Sequence, residues 1–427
     1  MLRKVVLAML LVATFSLGAV SAQDDPIKIG LLTDQSGALT IYGIEQEHGF
    51  TLGLLYATGV DPTEYDSLSA ALADVRIAGR PVELLVRDNG SVPDTAASQA
   101  RELIEQEGVE ILVGAPSSGV MTGIQQIALD YDVLVFATPA ASPAITGANF
   151  NLNTFRICRN TFQDFLAYAP YAQSVGATNF VILAVDNDFG RASAAAAGVL
   201  AGAGITFLGD PIYAPLETTD FTPYLQRVLS SGADAVLPIW AGDGTVTLFQ
   251  QLDELGVSDQ MTVVAAFNSN DIVALSDPST IGNVSWIVYH YSFPQNEIND
   301  WLVEKHRAMY NNDVPDLFTE CAFATAQAIV QALETSDGDT LPETLIPILE
   351  GMVFEGPKGT YAIRPSDHQA LVPMYVAQLT NLDDPDQNFY DLLAEVSAFE
   401  IIPPCLLPEA LQERCALDAD FLASVSP

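Results

Sequence analysis

The sequence predicts an α/β protein built as two doubly wound parallel-sheet lobes. From Ile27 onward, short apolar runs alternate with helix-length amphipathic stretches, the rhythm of parallel strands joined by crossover helices. The apolar runs are nearly continuous, as strands covered on both faces must be. The series is also too long for one such sheet of about 100–150 residues, and polar Asn149–Arg156 interrupts it, so two lobes are expected.

In order, the strand candidates of the first lobe are Ile27–Leu32, Val82–Arg87, Ile111–Val113 and Leu134–Ala137. Those of the second are Phe180–Val185, Ile205–Tyr213, Ala235–Ile239 and Thr262–Ala266. Helical periodicity falls between them, at Ile41–Thr58, Thr95–Glu107, Val120–Tyr131, Gln163–Val175, Arg191–Ala203, Phe221–Ser230 and Val246–Leu255. Later come helices at Glu297–Tyr310, Phe318–Glu334 and Leu341–Leu349, a hairpin at Phe354–Arg364 turning on Gly356-Pro357-Lys358-Gly359, and a strand at Pro373–Leu379. The tail from Asn381, with Pro403-Pro404 and Pro408, reads as an appended element outside the repeating core.

Composition excludes some classes of function. Fifty-four acidic residues against 16 basic ones give a formal charge of −38, which repels nucleic acid and anionic membranes. With 49% hydrophobic and only 16% charged residues, the chain is nonetheless a folded protein and not an acidic disordered tail. Met1–Ala22 has the parts of a secretory leader: basic Arg3-Lys4, apolar Val5–Val20 and small Val20-Ser21-Ala22. Cleavage near Ala22 would place the mature chain in the periplasm or outside the cell. Its apolar stretch is short of the ~20 residues of a spanning helix, and no later segment reaches that length without charges or prolines.

The four cysteines fit no CxxC metal spacing and allow three pairings. Cys405 with Cys415 would close a short loop in the tail, leaving Cys158 with Cys321, and this is the pairing expected. The histidines are scattered, and no phosphate loop, HExxH or GxSxG pattern occurs, so neither a metal, a cofactor nor catalysis is expected.

In open α/β sheets, ligands sit beyond the carboxyl ends of the strands, on helix N-termini. Thr33-Asp-Gln-Ser-Gly37 with Tyr42-Gly43, Gly114-Ala-Pro-Ser-Ser-Gly119, and Thr138-Pro-Ala-Ala-Ser-Pro143 are loops of this kind in the first lobe. The second lobe answers with Asp186-Asn-Asp-Phe-Gly190, Trp240-Ala-Gly-Asp243 and Phe267-Asn-Ser-Asn-Asp271. Hydroxyls and N–H groups there suit a carboxylate, and aromatics beside small residues suit a small ligand.

Taken in order, these segments resemble the extracytoplasmic substrate-binding proteins of ABC importers, in the branched-chain amino-acid (Leu/Ile/Val) binding family with the type I periplasmic-binding fold. The likeness runs from Ile27 to Leu379 and rests on Ile27-Lys-Ile-Gly-Leu-Leu-Thr-Asp-Gln-Ser-Gly37, Gly79-Arg-Pro-Val-Glu-Leu-Leu-Val-Arg-Asp88, Val113-Gly-Ala-Pro-Ser-Ser-Gly119, Asp220-Phe-Thr-Pro-Tyr-Leu225 and Phe354-Glu-Gly-Pro-Lys-Gly-Thr-Tyr361. It implies a three-strand hinge, with crossings near Asn153–Arg156, Asn270–Val284 and Met352–Gly356. The first lobe would comprise 27–154 and 276–352, the second 155–275 and 353–380, and the extension 381–427.

Carried over position by position, the resemblance puts the carboxylate of an amino acid on Ser117, Ser118, Ala140 and Ser142, and aromatic contacts on Tyr42, Phe189 and Trp240. Asp271 stands in for the acidic ammonium partner, while Asn268 holds the more natural loop position. The partners implied are a small solute, branched-chain or other aliphatic amino acid first, and an importer permease, with a monomeric chain. The alternatives are a sensing clamshell for a membrane receptor, or a binder of amides or urea.

Overall fold

The computed structural model describes residues 25–425, so the leader expected at Met1–Ala22 lies outside the described residues. The strands are β1 (Ile27–Thr33), β2 (Arg76–Ile77), β3 (Arg80–Asp88), β4 (Ile111–Gly114), β5 (Leu134–Ala137), β6 (Thr154–Arg156), β7 (Asn179–Val185), β8 (Thr206–Phe207), β9 (Ile212–Ala214), β10 (Ala235–Ile239), β11 (Thr262–Val263) and β12 (Val284–Ile287). They continue with β13 (Val353–Gly356), β14 (Gly359–Ile363), β15 (Ala370–Leu371), β16 (Met374–Leu379) and β17 (Tyr390–Val396). The helices are α1 (Thr40–Ala57), α2 (Leu68–Ala73), α3 (Pro93–Glu105), α4 (Ser118–Asp130), α5 (Thr161–Tyr168), α6 (Asp188–Ala196), α7 (Thr222–Leu229), α8 (Thr245–Glu254), α9 (Asn270–Val273), α10 (Glu297–Met309), α11 (Thr319–Thr335), α12 (Pro342–Leu349) and α13 (Leu417–Val425).

The first lobe is a sheet in the order β2-β3-β1-β4-β5-β6, parallel except for β2. Its strands are buried on both sides by simple alternation. Ile29, Leu31, Ile111, Val113, Leu134 and Phe136 enter one core with α1 and α11, while Leu32, Leu112, Val135 and Ala137 enter the other with α3 and α4. The second lobe repeats the plan with β11-β10-β7-β8 and β9, all parallel. There Phe180, Ile182 and Ala184 face one core and Val181, Leu183 and Val185 the other. Gly49 and Gly53 let α1 approach the backbone of α11, where a Cβ would strike the carbonyls of Thr319 and Phe323.

Several expected segments differ in detail, each for a physical reason. The expected strand 205–213 is two short strands, because Gly209 takes a left-handed φ of 71° ahead of Pro211. The helix expected over 163–175 ends at Tyr168 and tightens into a 3-10 turn at Pro170, which has no N–H to continue it.

The lobe boundaries differ as well. The β13–β14 hairpin, expected in the second lobe, buries Phe354, Tyr361 and Ile363 in the first-lobe core beside α11. Conversely β12 pairs with β16, and Trp286 and Ile287 enter the second-lobe core. The crossings therefore lie at 157–160, 288–296 and 372–373. Part of the extension also belongs to a sheet, since β17 pairs antiparallel with β16. The chain then returns to the first lobe, where the buried Arg364 donates to the Pro403 carbonyl at 2.7 Å and Phe421 packs with Ala362 and Leu371.

Cys158 is bonded to Cys321, joining the first crossing to α11, and Cys405 to Cys415 within the tail. The separations are 163 and 10 residues. In the chain-entropy account the first constrains the unfolded chain by roughly 5 kcal/mol and the second by roughly 3 kcal/mol. Denaturant titration of Cys158→Ala/Cys321→Ala is therefore expected to show a larger loss of unfolding free energy than Cys405→Ala/Cys415→Ala; a larger loss from the tail pair would contradict this assignment of the hinge bridge.

Candidate functional site

The carboxyl ends of both parallel sheets point at one another, and the loops leaving them enclose a cleft of about 170 Å³. From the first lobe, Ser117 and Ser118 begin α4. Ser117 caps that helix, its hydroxyl accepting from Val120 N–H at 3.4 Å, and both residues line the cleft with Gly119. From the second lobe, Asn187 caps α6 by accepting from Gly190 N–H at 3.0 Å, and carries Phe189 beside it into the cleft. Two helix N-termini, one from each lobe, thus open on the same space.

The walls are aromatic. Tyr42, Phe165, Phe189, Trp240, Phe267 and Trp286 line the cleft, and Phe318 stands edge-on to Tyr42 with ring centroids 4.9 Å apart. Trp240 is held by its indole N–H, which donates to the Asp243 carbonyl at 2.8 Å.

Six of the sequence-derived candidates come together here: Tyr42, Ser117, Ser118, Phe189, Trp240 and Asn268. Three do not. Ala140 and Ser142 are both buried beneath the cleft, where their carbonyls accept from Arg156 at 3.3 and 2.7 Å. The Ser142 hydroxyl accepts from Ala144 N–H at 3.3 Å, and its N–H donates to the Ser118 hydroxyl at 3.2 Å, so Ser142 shapes the loop instead of facing a solute. Asp271 is exposed on α9 and lines a separate cavity of about 110 Å³. The adjoining loop turns Asn268 toward the cleft, and the start of α9 carries Asp271 away from it.

Sequence reasoning missed Arg159 and Asp164. Both line the cleft, both are buried, and their Nε and Oδ1 lie 3.3 Å apart. The guanidinium sits 5.1 Å from the centre of the Phe318 ring. The available signal was two arginines in Arg156-Ile-Cys-Arg159, in a chain with only 16 basic residues, just where the first lobe ends.

Hydrogen bonds join the lobes across the cleft and its rear. Asp243 N–H donates to the Ala38 carbonyl at 2.8 Å, and Tyr42 O–H to Asn268 Oδ1 at 2.9 Å. The Ser269 hydroxyl donates to Glu45 at 2.9 Å, and Asn270 N–H to Asp316 at 2.7 Å. Glu45 and Asp316 share the rear cavity with Asp271, Asp313 and the imidazoles of His48 and His306. Burial pushes Glu45 well above the usual carboxylate range and Asp316 up to about 7, and it pulls both imidazoles below their ordinary value.

A fold of this kind, with a solute-sized cleft between two α/β lobes, defines a clamshell solute-binding protein. The family model described as periplasmic binding protein matches residues 26–384, and the chain belongs to that family. It is similar to Leu/Ile/Val-binding protein homolog 6 of Brucella suis biovar 1 (strain 1330), 24% identical over 406 residues that cover 92% of this chain and 97% of that one. Among solved structures it is similar to an ABC-type branched-chain amino acid transporter from Rhodopseudomonas palustris CGA009, 29% identical with a TM-score of 0.71, covering 90% of this chain and 100% of that one. The fold is shared with a solute-binding protein of an ABC transporter from Rhodopseudomonas palustris BisB5, solved with 3,4-dihydroxybenzoic acid, 19% identical with a TM-score of 0.74 and coverages of 88% and 98%. No helix among the described residues is long and apolar enough to cross a membrane.

The raised pair has a definite consequence for stability. Between the ordinary carboxylate value near 4 and about 7, the folded protein holds protons that the unfolded chain releases. The contribution of Asp316 is thus full on the acid side and lost as pH rises through about 7, and the raised Glu45 acts in the same direction. The buried histidines act in the opposite sense, so the informative readout is a difference. Relative to Asp316→Asn, the wild type is expected to gain thermal stability as pH falls from 8 to 5; a pH-independent difference in Tm would show that Asp316 is ionised throughout.

Proposed function

We propose that this chain captures a small carboxylate-bearing solute by closure of its two lobes and delivers it to the membrane permease of an ABC importer. The observation that supports this best is the cleft itself, whose walls come from both lobes and whose rim and rear are tied by hydrogen bonds between them. A solute touching both walls favours the closed arrangement over the open one, and closure is what a permease can distinguish. Hydroxyls and helix N-termini at Ser117 and Ser118 suit a carboxylate, and the surrounding rings suit an apolar body of amino-acid size. An aliphatic amino acid is one such solute. An aromatic acid is the second reading, favoured by the aromatic walls and by the dihydroxybenzoate held on the same fold in the BisB5 protein.

The test is calorimetric titration of protein freed of carried-over ligand by unfolding and refolding, against aliphatic and aromatic amino acids, hydroxybenzoates, urea and short amides. Binding of a carboxylate solute is expected. Ser117→Ala is expected to weaken it roughly ten- to hundredfold, the loss of one hydrogen bond to a charged group, and Ser142→Ala to weaken it less. Binding confined to urea or amides would keep the clamshell and discard the carboxylate. Solute-stimulated uptake into vesicles carrying the permease is expected if the protein feeds an importer; binding without such uptake would favour a sensing role.

A further inference from the structure

We propose that the cleft selects a net-anionic carboxylate lacking an α-ammonium group, held by Arg159, over the zwitterionic amino acid of the same carbon skeleton. This rests on the reading of the cleft as the solute site and sharpens it.

The first support is the state of Arg159. It is buried, and its only hydrogen bond among the described residues runs from Nη1 to the Pro139 carbonyl at 3.4 Å. Its Nε is buried without a hydrogen-bond partner, although Asp164 Oδ1 lies 3.3 Å away and is itself unpartnered. The two charges touch but are not aligned. A guanidinium offers five donors in a planar fork, and this one lines the cleft with most of that capacity unused. A solute carboxylate seated on it would complete the set.

The second support is the charge behind the cleft. Arg156 is wholly buried, and its partners are all neutral: Gln369, Thr146 and the carbonyls of Ala140 and Ser142. No carboxylate among the described residues lies within ion-pair distance of it; the nearby Asp367 is bonded to Arg364 through both oxygens. Burial lowers the pKa of Arg156 to about 9, which leaves it cationic at neutral pH. In a chain of formal charge −38, a cation without a contacting carboxylate beneath the solute site, with Asp367 and Asp164 acting on it only from a distance, biases that site toward anions.

The third support is the lack of a place for an ammonium group. Asp164 is the single carboxylate among the residues lining the cleft, and Arg159 already faces it. Asn268 Oδ1 accepts from Tyr42 and from Ser269 N–H, and Asn187 Oδ1 from Gly190 N–H. Asp271, the residue expected to bind an ammonium, lines the other cavity. A desolvated ammonium without an acidic partner is strongly disfavoured.

The test uses matched pairs on the refolded full-length protein: 4-methylpentanoate against leucine, and 3-phenylpropanoate against phenylalanine. In at least one pair the deaminated acid is expected to bind ten or more times tighter. The double variant Arg159→Gln/Asp164→Asn removes both charges without leaving either one buried alone. With its folding checked by thermal melting, it is expected to lose that preference. Equal or tighter binding of the amino acids, or an unchanged preference in the double variant, would overturn the proposal while leaving the cleft as a solute site. Silence of the wild type toward all four compounds would overturn this proposal, and the carboxylate reading beneath it would fall only if the hydroxybenzoates were silent as well.

Discussion

The structure depends on one constraint, the common direction of the strands in each lobe. A parallel sheet gathers every strand-to-helix loop at a single edge, and here the two edges face each other. Residues as distant in sequence as Tyr42, Ser117, Phe189, Trp240 and Asn268 therefore reach one cleft with no local signal linking them. The helices that follow the strands bring their N-termini to the same place, so the polarity of the site follows from the topology. The close approach of α1 to α11 at Gly49 and Gly53 then fixes Tyr42 and Phe318 as neighbouring parts of one wall.

Much of this was legible in the sequence because burial on both faces of a strand leaves a period that can be read. The strands from Ile27 and Leu134 appear where the apolar runs stand, and alternate residues enter opposite cores. Segments whose place is decided by packing were less legible. The Phe354–Arg364 hairpin was recognisable as a hairpin, but which core receives Phe354 and Tyr361 depends on where α11 lies. Trp286 likewise belongs to the second lobe because β12 pairs with β16, nearly a hundred residues further on.

The site shows the same division. Loops at strand ends could be picked out, yet the direction of a side chain within a loop could not. Ser142 and Ser118 both lie in serine-bearing loops, but a hydrogen bond from the backbone of one to the hydroxyl of the other places only Ser118 at the cleft surface. Arg159 was overlooked because it follows a strand at the lobe boundary, where a basic residue reads as an ordinary linker. Its meaning appears only with Asp164 in the first turn of α5 and Phe318 beneath it. The charge distribution is unusual in the same region: a strongly acidic chain keeps Arg156, Arg159, Lys358 and Arg364 inside, close to where its segments cross between lobes.

The return of the tail to the first lobe after β17 changes the mechanics of the whole molecule. Three crossings alone would leave the far side of the hinge free to swing. Here the segment after β17 is held by both lobes: Ala398 packs with Ala362 and Leu371 of the first, Ile401 enters the second-lobe core, and Arg364 holds the Pro403 carbonyl ahead of the Cys405–Cys415 bridge. The tail therefore joins the lobes a fourth time, so that moving one relative to the other would also have to shear the contacts of Ala398 and Ile401.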